Sequence, residues 1–202
     1  MNYLAVDTSG QSLTIIICKD DKIYKHFDGE CGVKHSTRLM PQIEKLAGEV
    51  GFDYAKADFF CAVVGAGSFT GIRIGVSTIK AMCFAFNKPC LSITSFDTLA
   101  YNNVSDKVLA VIDAKHNGFY VCGYSNQKVC LEPCYLERAQ VEQLLKEYKG
   151  VAIDEIDGLN LKKVNVADGL CNAIIKNLDK VSIDLESLSP LYVRKSQAEE
   201  GR

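Results

Sequence analysis

The chain has 202 residues, of which 48% are apolar and 24% charged, and its formal net charge is −2. This length can bury a core in one large domain or in two small lobes, and the composition is that of a folded soluble protein. The charge argues against a chain whose main role is to bind nucleic acid. No stretch of the sequence approaches the ~18 consecutive apolar residues of a membrane span.

The first half of the chain predicts three strands and then alternating helices and strands. Apolar and β-branched runs indicate the strands, and apolar residues at helical spacing indicate the helices. Ser36 and Ser95 are candidate N-caps of the first and third helices, and the second helix is expected to start at Ser68. The predicted elements are strands 3–6, 13–18 and 22–27, a helix from His35 or Ser36 to about Val50, strand 59–64, helix 68–86, strand 89–94 and helix 95–101.

The same order of elements then returns. Leu109 to Asp113 opens this second series much as Leu4 to Asp7 opens the first. An internal duplication of a βββαβα lobe follows, with lobes at 1–102 and 103–202. The predicted fold is therefore α/β with duplicated ribonuclease H-like lobes, the actin-like (ASKHA) arrangement. The predicted elements of the second lobe are strands 108–112, 119–124 and 128–131, helix 136–148, strand 151–153 and helix 167–178.

Nine cysteines are spread mostly through apolar runs, and none forms a Cys-x-x-Cys pair. An odd number in such surroundings predicts reduced, buried thiols rather than disulfides or a metal site. The opening residues, Met1 to Ser9, lack the basic and apolar regions of a signal peptide. These features predict a cytoplasmic location.

A glycine-rich run, GAGSFTGIRIG from Gly65 to Gly75, follows the predicted strand 59–64 and continues into the predicted helix 68–86. Phosphate-binding loops often occur at such strand-to-helix junctions. It is not a Walker loop, because Ile72 and Arg73 follow Gly71 where lysine and serine or threonine are needed. It also misses the dinucleotide fingerprint, because Thr70 stands at the sixth position.

An actin-like nucleotide site would instead use one β-turn from each lobe. The candidates are Asp7, Thr8, Ser9 and Gly10 in the first lobe and Asp113 in the second. The second loop has its glycine late, and a paired-glycine segment for an adenine ring is missing from the last part of the chain. These residues are therefore interpreted as remnants of an ancestral nucleotide site or as plain strand ends. An ATP-binding small-molecule kinase or ATPase of the actin-like type remains the alternative.

Other chemistries find little support in the sequence. The only histidines are His26, His35 and His116, and His35 is followed four residues later by Leu39 rather than by a second histidine, so no metal site is predicted. Two-metal nuclease chemistry needs clustered carboxylates on adjacent strands, and it is disfavoured because Asp7 is the only carboxylate before Asp20. A peptidase is also disfavoured, because Ser68 does not lie in a Gly-x-Ser-x-Gly elbow.

The helix predicted at 68–86 is apolar nearly all round, so it should be buried on more than one side. Part of that burial could come from another chain. Gly71 and Gly75 each cost about 1 kcal/mol relative to alanine in a helix interior. Close backbone approach would offset that cost. The approach could be to the helix's own sheet or to a helix of a partner, and the sequence leaves both open.

The run from Gly65 to Gly75 closely resembles the signature of the TsaB (YeaZ) family. Val6-Asp7-Thr8-Ser9, His35-Ser36, Ile112-Asp113-Ala114 and Pro190-Leu191-Tyr192-Val193-Arg194 are similar to its other landmarks, and Ala66 stands where the family usually carries proline. The resemblance is strongest over 61–100.

This resemblance implies a noncatalytic scaffold or activator subunit in bacterial synthesis of threonylcarbamoyladenosine. That modified base lies next to the anticodon of tRNAs that read codons beginning with A. The implied partners are the catalytic paralogue TsaD and the ATPase TsaE, and the chain alone would form a homodimer. ATP and metal would belong to the partner subunits and not to this chain, tRNA would be contacted only indirectly, and no membrane would be involved.

The resemblance also implies that the first two helices form the partner interface. Gly71 and Gly75 would permit a close crossing there, so Gly75→Leu would disrupt pairing while each lobe stays folded. The implied interface residues are His35, Arg38, Leu39, Gln42 and Leu46 in the first helix, and Phe69, Thr70, Gly71, Arg73, Ile74, Gly75, Ser77 and Thr78 in the second.

Overall fold

The computed structural model describes residues 1–29, 31–102, 105–115 and 118–194. The described residues form two compact units: residues 1–94 with 174–191, and residues 95–173 with 192–194. The predicted lobes follow chain order, whereas these units do not, because 174–191 returns to the first. Residues 103 and 104, at the predicted boundary, lie outside the described residues.

The first unit contains a five-stranded sheet in the order β3-β2-β1-β4-β5. Strands β1, β2 and β3 form an antiparallel meander, and β4 and β5 continue the sheet in parallel with β1. The strands are β1 (Tyr3–Asp7), β2 (Leu13–Lys19), β3 (Lys22–Asp28), β4 (Phe59–Val63) and β5 (Cys90–Ile93).

Two helices, α1 (His35–Val50) and α2 (Phe69–Phe86), pack their apolar sides on one face of this sheet. The predicted start of α2 at Ser68 agrees with the structure to within one residue. Ser68 is the N-cap of this helix, and its Oγ accepts a hydrogen bond of 3.2 Å from the Gly71 N–H. The predicted cap at Ser36 is wrong, since α1 begins at His35 with Lys34 at the N-cap position. The helix starts earlier because a short 3-10 turn, Gly32–Lys34, leads directly into it.

The returning segment, residues 174–191, completes the edge of the first sheet. The N–H groups of Cys90 and Ser182 each donate to the carbonyl oxygen of the other, at 2.8 and 2.9 Å. Leu188 is fully buried in the core of this unit. The segment therefore covers an edge strand that would otherwise be open to pairing with another chain.

The second unit repeats the topology. Its sheet has the order β10-β9-β6-β7-β8, in which β6, β7 and β8 form the antiparallel meander and β9 and β10 run parallel to β6. The predicted α/β fold with duplicated lobes is confirmed. The elements are α3 (Ser95–Ala100), β6 (Lys107–Asp113), β7 (Gly118–Ser125), β8 (Lys128–Glu137), α4 (Arg138–Leu144), β9 (Lys149–Ala152), β10 (Lys162–Lys163) and α5 (Val166–Lys176).

Two whole-chain properties bear on the sequence-based expectations. All nine cysteines lie among the described residues and are free thiols, and seven of them are buried. Helix α2 has 18 residues and a mean hydropathy of 1.3, so by length and composition alone it could cross a membrane, contrary to the expectation from the sequence. Core helices of soluble proteins share this property, and 39% of α2 is buried within the protein.

Candidate functional site: the glycine loop and helix α2

The glycine loop, residues 65–68, connects β4 to α2 and packs against the turn that follows β1. The Ser68 N–H donates to the Ser9 carbonyl oxygen at 2.7 Å. A Cβ on Gly67 would lie 2.2 Å from the same oxygen, and the φ of Gly67 is +150°. This glycine is therefore required by the close approach of the chain's own backbone.

Gly71 and Gly75 make the same kind of contact one and two turns into α2. A Cβ on Gly71 would lie 2.0 Å from the Thr8 carbonyl oxygen, and one on Gly75 would lie 2.5 Å from Thr8 Oγ1. Thr8 Oγ1 also donates to the Gly71 carbonyl oxygen at 2.7 Å. The expected crossing of a partner helix at these glycines is corrected, because Thr8, in the turn after β1, fills the space beside them. Gly75→Leu would disturb the first unit itself.

Asp7 lies at the end of β1, only 4% exposed. Its carboxylate accepts hydrogen bonds from the Ser9 N–H at 2.8 Å and the Ser9 Oγ at 2.7 Å. Burial raises the pKa of Asp7 in spite of these bonds. The backbone N–H and carbonyl of Ser9 are both engaged within the chain, whereas a phosphate cradle presents its N–H groups to the ligand.

Asp113 lies at the corresponding end of β6 in the second unit. It accepts hydrogen bonds from the Lys115 N–H at 2.7 Å and from Lys115 Nζ at 2.9 Å. Its partial burial favours a higher pKa, but the hydrogen bonds and charge of Lys115 together lower the pKa of Asp113. His116 and Asn117, which continue this turn, lie outside the described residues.

Helix α1 directs most of its expected interface residues inward. Leu39 and Leu46 belong to the core of the first unit, and His35 is buried with its Nε2 3.2 Å from the Ser12 carbonyl oxygen. Their assignment to a partner surface is corrected, because the apolar stripe of α1 packs on the chain's own sheet. Arg38 and Gln42 are half-buried, and Arg38 forms an ion pair with Asp28.

Helix α2 keeps several of its expected residues at the surface. Ile74 and Thr78 are half-buried, and the Arg73 guanidinium carbon lies 3.9 Å from the centre of the Phe69 ring. Sequence reasoning missed Phe84, which is 83% exposed and lies seven residues, about two helical turns, beyond Ser77. That spacing was the available signal. We define the α2 stripe as the exposed residues Phe69, Thr70, Arg73, Ser77, Ala81 and Phe84.

The described residues around the glycine loop and α2 do not form a cluster of metal-ligating side chains. Across the described ranges, 1–29, 31–102, 105–115 and 118–194, no group of three or more His, Cys, Asp or Glu side chains could hold an ion.

Comparison with known proteins places this architecture in a family. The family model described as TsaD, tRNA N6-adenosine threonylcarbamoyltransferase, matches residues 29–188. The chain belongs to this family.

Relatives named TsaB confirm the resemblance to the TsaB (YeaZ) signature. The tRNA threonylcarbamoyladenosine biosynthesis protein TsaB of Bacillus subtilis is 31% identical over 65% of this chain and 58% of its own length. TsaB of Escherichia coli is 26% identical over 63% of this chain and 57% of its own length. The matched part thus spans a little over half of these relatives. A threonylcarbamoyltransferase of Erythrobacter litoralis is 36% identical over 31% of this chain and 18% of its own length.

Solved structures agree on the fold. YeaZ from Pseudomonas aeruginosa superposes with a TM-score of 0.78 at 21% identity, and the match covers 95% of this chain and 99% of that one. The TsaB-type fold thus extends over nearly the whole chain, including the segments where sequence similarity is weak.

Proposed function

We propose that this chain is a TsaB-type subunit that pairs with a TsaD-type protein in the synthesis of threonylcarbamoyladenosine on tRNA. The observation that carries the proposal is the α2 stripe. One side of α2 packs on the sheet, while the other presents two phenylalanines and an arginine to solvent. Aromatic residues and arginine dominate the binding energy of many protein interfaces.

The stripe suits a partner of the same fold. Two related chains can pair through equivalent surfaces about a two-fold or pseudo-two-fold axis. The proposal therefore includes a homodimer through the α2 stripe when the chain is alone, and a heterodimer when the TsaD-type protein is present. The ATPase TsaE would join this heterodimer.

The proposed role is noncatalytic. Two features within the chain's own fold support it: Ser9 donates hydrogen bonds to the Asp7 carboxylate, and the turn after β1 packs against the glycine loop. In this proposal ATP and metal bind to the partner subunits, this chain contacts tRNA only indirectly, and the complex works in the cytoplasm.

Reconstitution tests this proposal directly. Threonylcarbamoyladenosine formation is measured with the same organism's TsaD and TsaE, the enzyme that makes the threonylcarbamoyl donor, ATP, threonine, bicarbonate and tRNA, with and without this chain. We expect modification to stop when this chain is omitted, and the chain alone to be inactive. Unchanged modification without it would overturn the proposal and direct attention to ATP binding at Asp7, as an actin-like kinase or ATPase requires.

Phe84→Ala tests the proposed surface. The side chain is exposed, so we expect stability to change little and affinity for the TsaD-type protein to fall about tenfold, as for an interface hot spot. Ile183→Ala is the matched control, because Ile183 is 87% exposed in the same unit but lies outside α2. Both affinities can be measured by titration calorimetry. Equal affinities for Phe84→Ala and wild type would remove Phe84 from the interface.

A further inference from the structure

Three segments that are far apart in the sequence meet at the start of α2. They are the turn after β1 at residues 7–9, the glycine loop at 65–68 and the region around Leu191. The Leu191 N–H donates to the Val64 carbonyl oxygen at 2.7 Å. A Cβ on Gly65 would lie 2.7 Å from the Leu191 carbonyl oxygen, so the two backbones are in close contact.

Thr8 connects the turn after β1 to the body of α2. It is 1% exposed, and its hydroxyl donates to the carbonyl oxygen of Gly71. The missing side chains of Gly71 and Gly75 create the space that Thr8 fills. One buried side chain thus contacts two successive turns of the helix, and the neighbouring Ser9 carbonyl holds the Ser68 N–H.

These contacts are named here the α2 clamp: Thr8 on Gly71 and Gly75, Ser9 on Ser68, and Leu191 on Val64 and Gly65. The clamp acts on the buried side and on the start of α2, opposite the α2 stripe. A helix held in this way keeps one position and one rotation relative to its sheet. A surface fixed before binding avoids the entropic cost of ordering at the moment of association.

We infer that Thr8 is a positioning residue for partner binding: through the α2 clamp it fixes the orientation in which the α2 stripe is presented. The inference rests on the proposed function for its partner, while the clamp itself is a property of the first unit. The α2 clamp gives a different role to the motifs of this chain that resemble phosphate-binding loops. Asp7-Thr8-Ser9 and the glycine run hold a helix where related geometry elsewhere would hold a nucleotide.

Thr8→Val tests the inference in the full-length chain, because valine keeps the branched shape and removes only the hydroxyl donor. Ile17→Val is the control: Ile17 is fully buried in the same core but pairs with Leu4, near the other end of β1. We expect Thr8→Val to weaken binding to the TsaD-type protein about tenfold. Ile17→Val should leave that affinity unchanged under conditions where both variants are folded. Thr8→Ser, which restores the hydroxyl, should recover most of the affinity.

Amide hydrogen exchange in the isolated chain gives a second readout that needs no partner. We expect faster exchange over 69–77 in Thr8→Val than in Ile17→Val, since only the first loosens the start of α2. The inference is overturned if Thr8→Val binds as wild type does, or if Ile17→Val loses the same affinity. If the wild-type chain does not bind the TsaD-type protein, the proposed function fails, whereas the exchange comparison still decides whether Thr8 holds α2.

Discussion

Gly71 carries a prediction whose sign differs from the usual rule for helices. Alanine in place of an interior helical glycine normally stabilises by about 1 kcal/mol. Here the new methyl group would meet the Thr8 carbonyl oxygen, a backbone atom that cannot rotate away. We expect Gly71→Ala to destabilise the protein by about 1–3 kcal/mol, as overpacking does. Urea unfolding followed by circular dichroism measures the change.

Gly48→Ala is the internal control for this experiment. Gly48 lies in α1, and among the described residues no heavy atom outside its own turn lies within 4 Å of the position of a new Cβ. It should follow the usual rule and stabilise by roughly 0.5–1 kcal/mol. An equal gain from both substitutions would show that Gly71 is not in contact with Thr8.

Asp7 predicts a dependence of stability on pH. Its pKa is raised by burial, so the folded state binds the proton more tightly than the unfolded state does. Stability should therefore fall as pH rises from about 4, the ordinary pKa of aspartate, through the raised pKa of the folded state. Asp7→Asn stays neutral and keeps an oxygen that accepts from Ser9. We expect its stability relative to wild type to increase between pH 4 and pH 7 in urea titrations.

Asp113→Asn is the control of opposite sign. Lys115 lowers the pKa of Asp113, so that carboxylate stabilises the fold above its ordinary pKa, and the contribution is lost as pH falls through the folded pKa. Replacing Asp113 should cost only a little stability at pH 7, because the side chain is partly exposed. At low pH the cost should almost vanish, because the wild-type carboxylate is then protonated. If the stability of both variants relative to wild type changed with pH in the same direction, burial would not be raising the pKa of Asp7.

At the scale of the elements, helix α2 shows where sequence reasoning succeeds and where it stops. The start near Ser68 and the end at Phe86 follow from local signals, and the helix in the structure has these bounds to within one residue. The choice between own-sheet packing and partner packing at Gly71 and Gly75 depends on residue 8, which is distant in sequence. Periodicity marks apolar faces, but a core face and an interface face share that mark.

Helix α1 also shows that apolar spacing does not distinguish a core face from an interface face. Leu39 and Leu46 are apolar at helical spacing, and the structure uses that spacing for the core of the first unit. Exposure is a tertiary property. The spacing that places Phe84 on the same face as Ser77 therefore does not show by itself that this face, unlike that of Leu39 and Leu46, is exposed.

In the second unit, β8 continues to Glu137, where a helix was expected from residue 136. Pairing with β7 across an irregular register extends the strand and shortens α4. The two-residue strand Lys162–Lys163 has no apolar alternation, so no periodicity could predict it.

At the scale of the whole molecule, the repeated elements suggest two consecutive halves, but the two units do not divide the chain in that way. The duplication predicts two consecutive lobes, but residues 174–191 belong to the first unit. The repeat is visible as patterns of strands and helices, whereas the return of a late segment depends on a few contacts. Leu188 in the core and Ser182 beside Cys90 provide two of these contacts. Neither residue carries a local signal that it belongs with residues 1–94.

This path makes a prediction about fragments. A fragment of residues 1–102 has the predicted boundary but lacks Leu188 and leaves the edge of β5 open. The loss of one buried leucine side chain costs about 2–5 kcal/mol, and an open edge strand favours association between chains. We expect this fragment to unfold at lower urea concentration than the full chain and to associate. A synthetic peptide of residues 174–194 should raise its stability with peptide concentration, as any ligand of the folded state does.

The same peptide with Leu188→Asp should have much less effect, because a carboxylate would replace a fully buried side chain. Tryptophan is absent from the chain, so tyrosine fluorescence and far-ultraviolet circular dichroism are the probes. A fragment as stable as the full chain, insensitive to either peptide, would mean that residues 1–102 complete the first fold without the returning segment. A response to the wild-type peptide alone would instead show that the first unit is assembled from both halves of the chain.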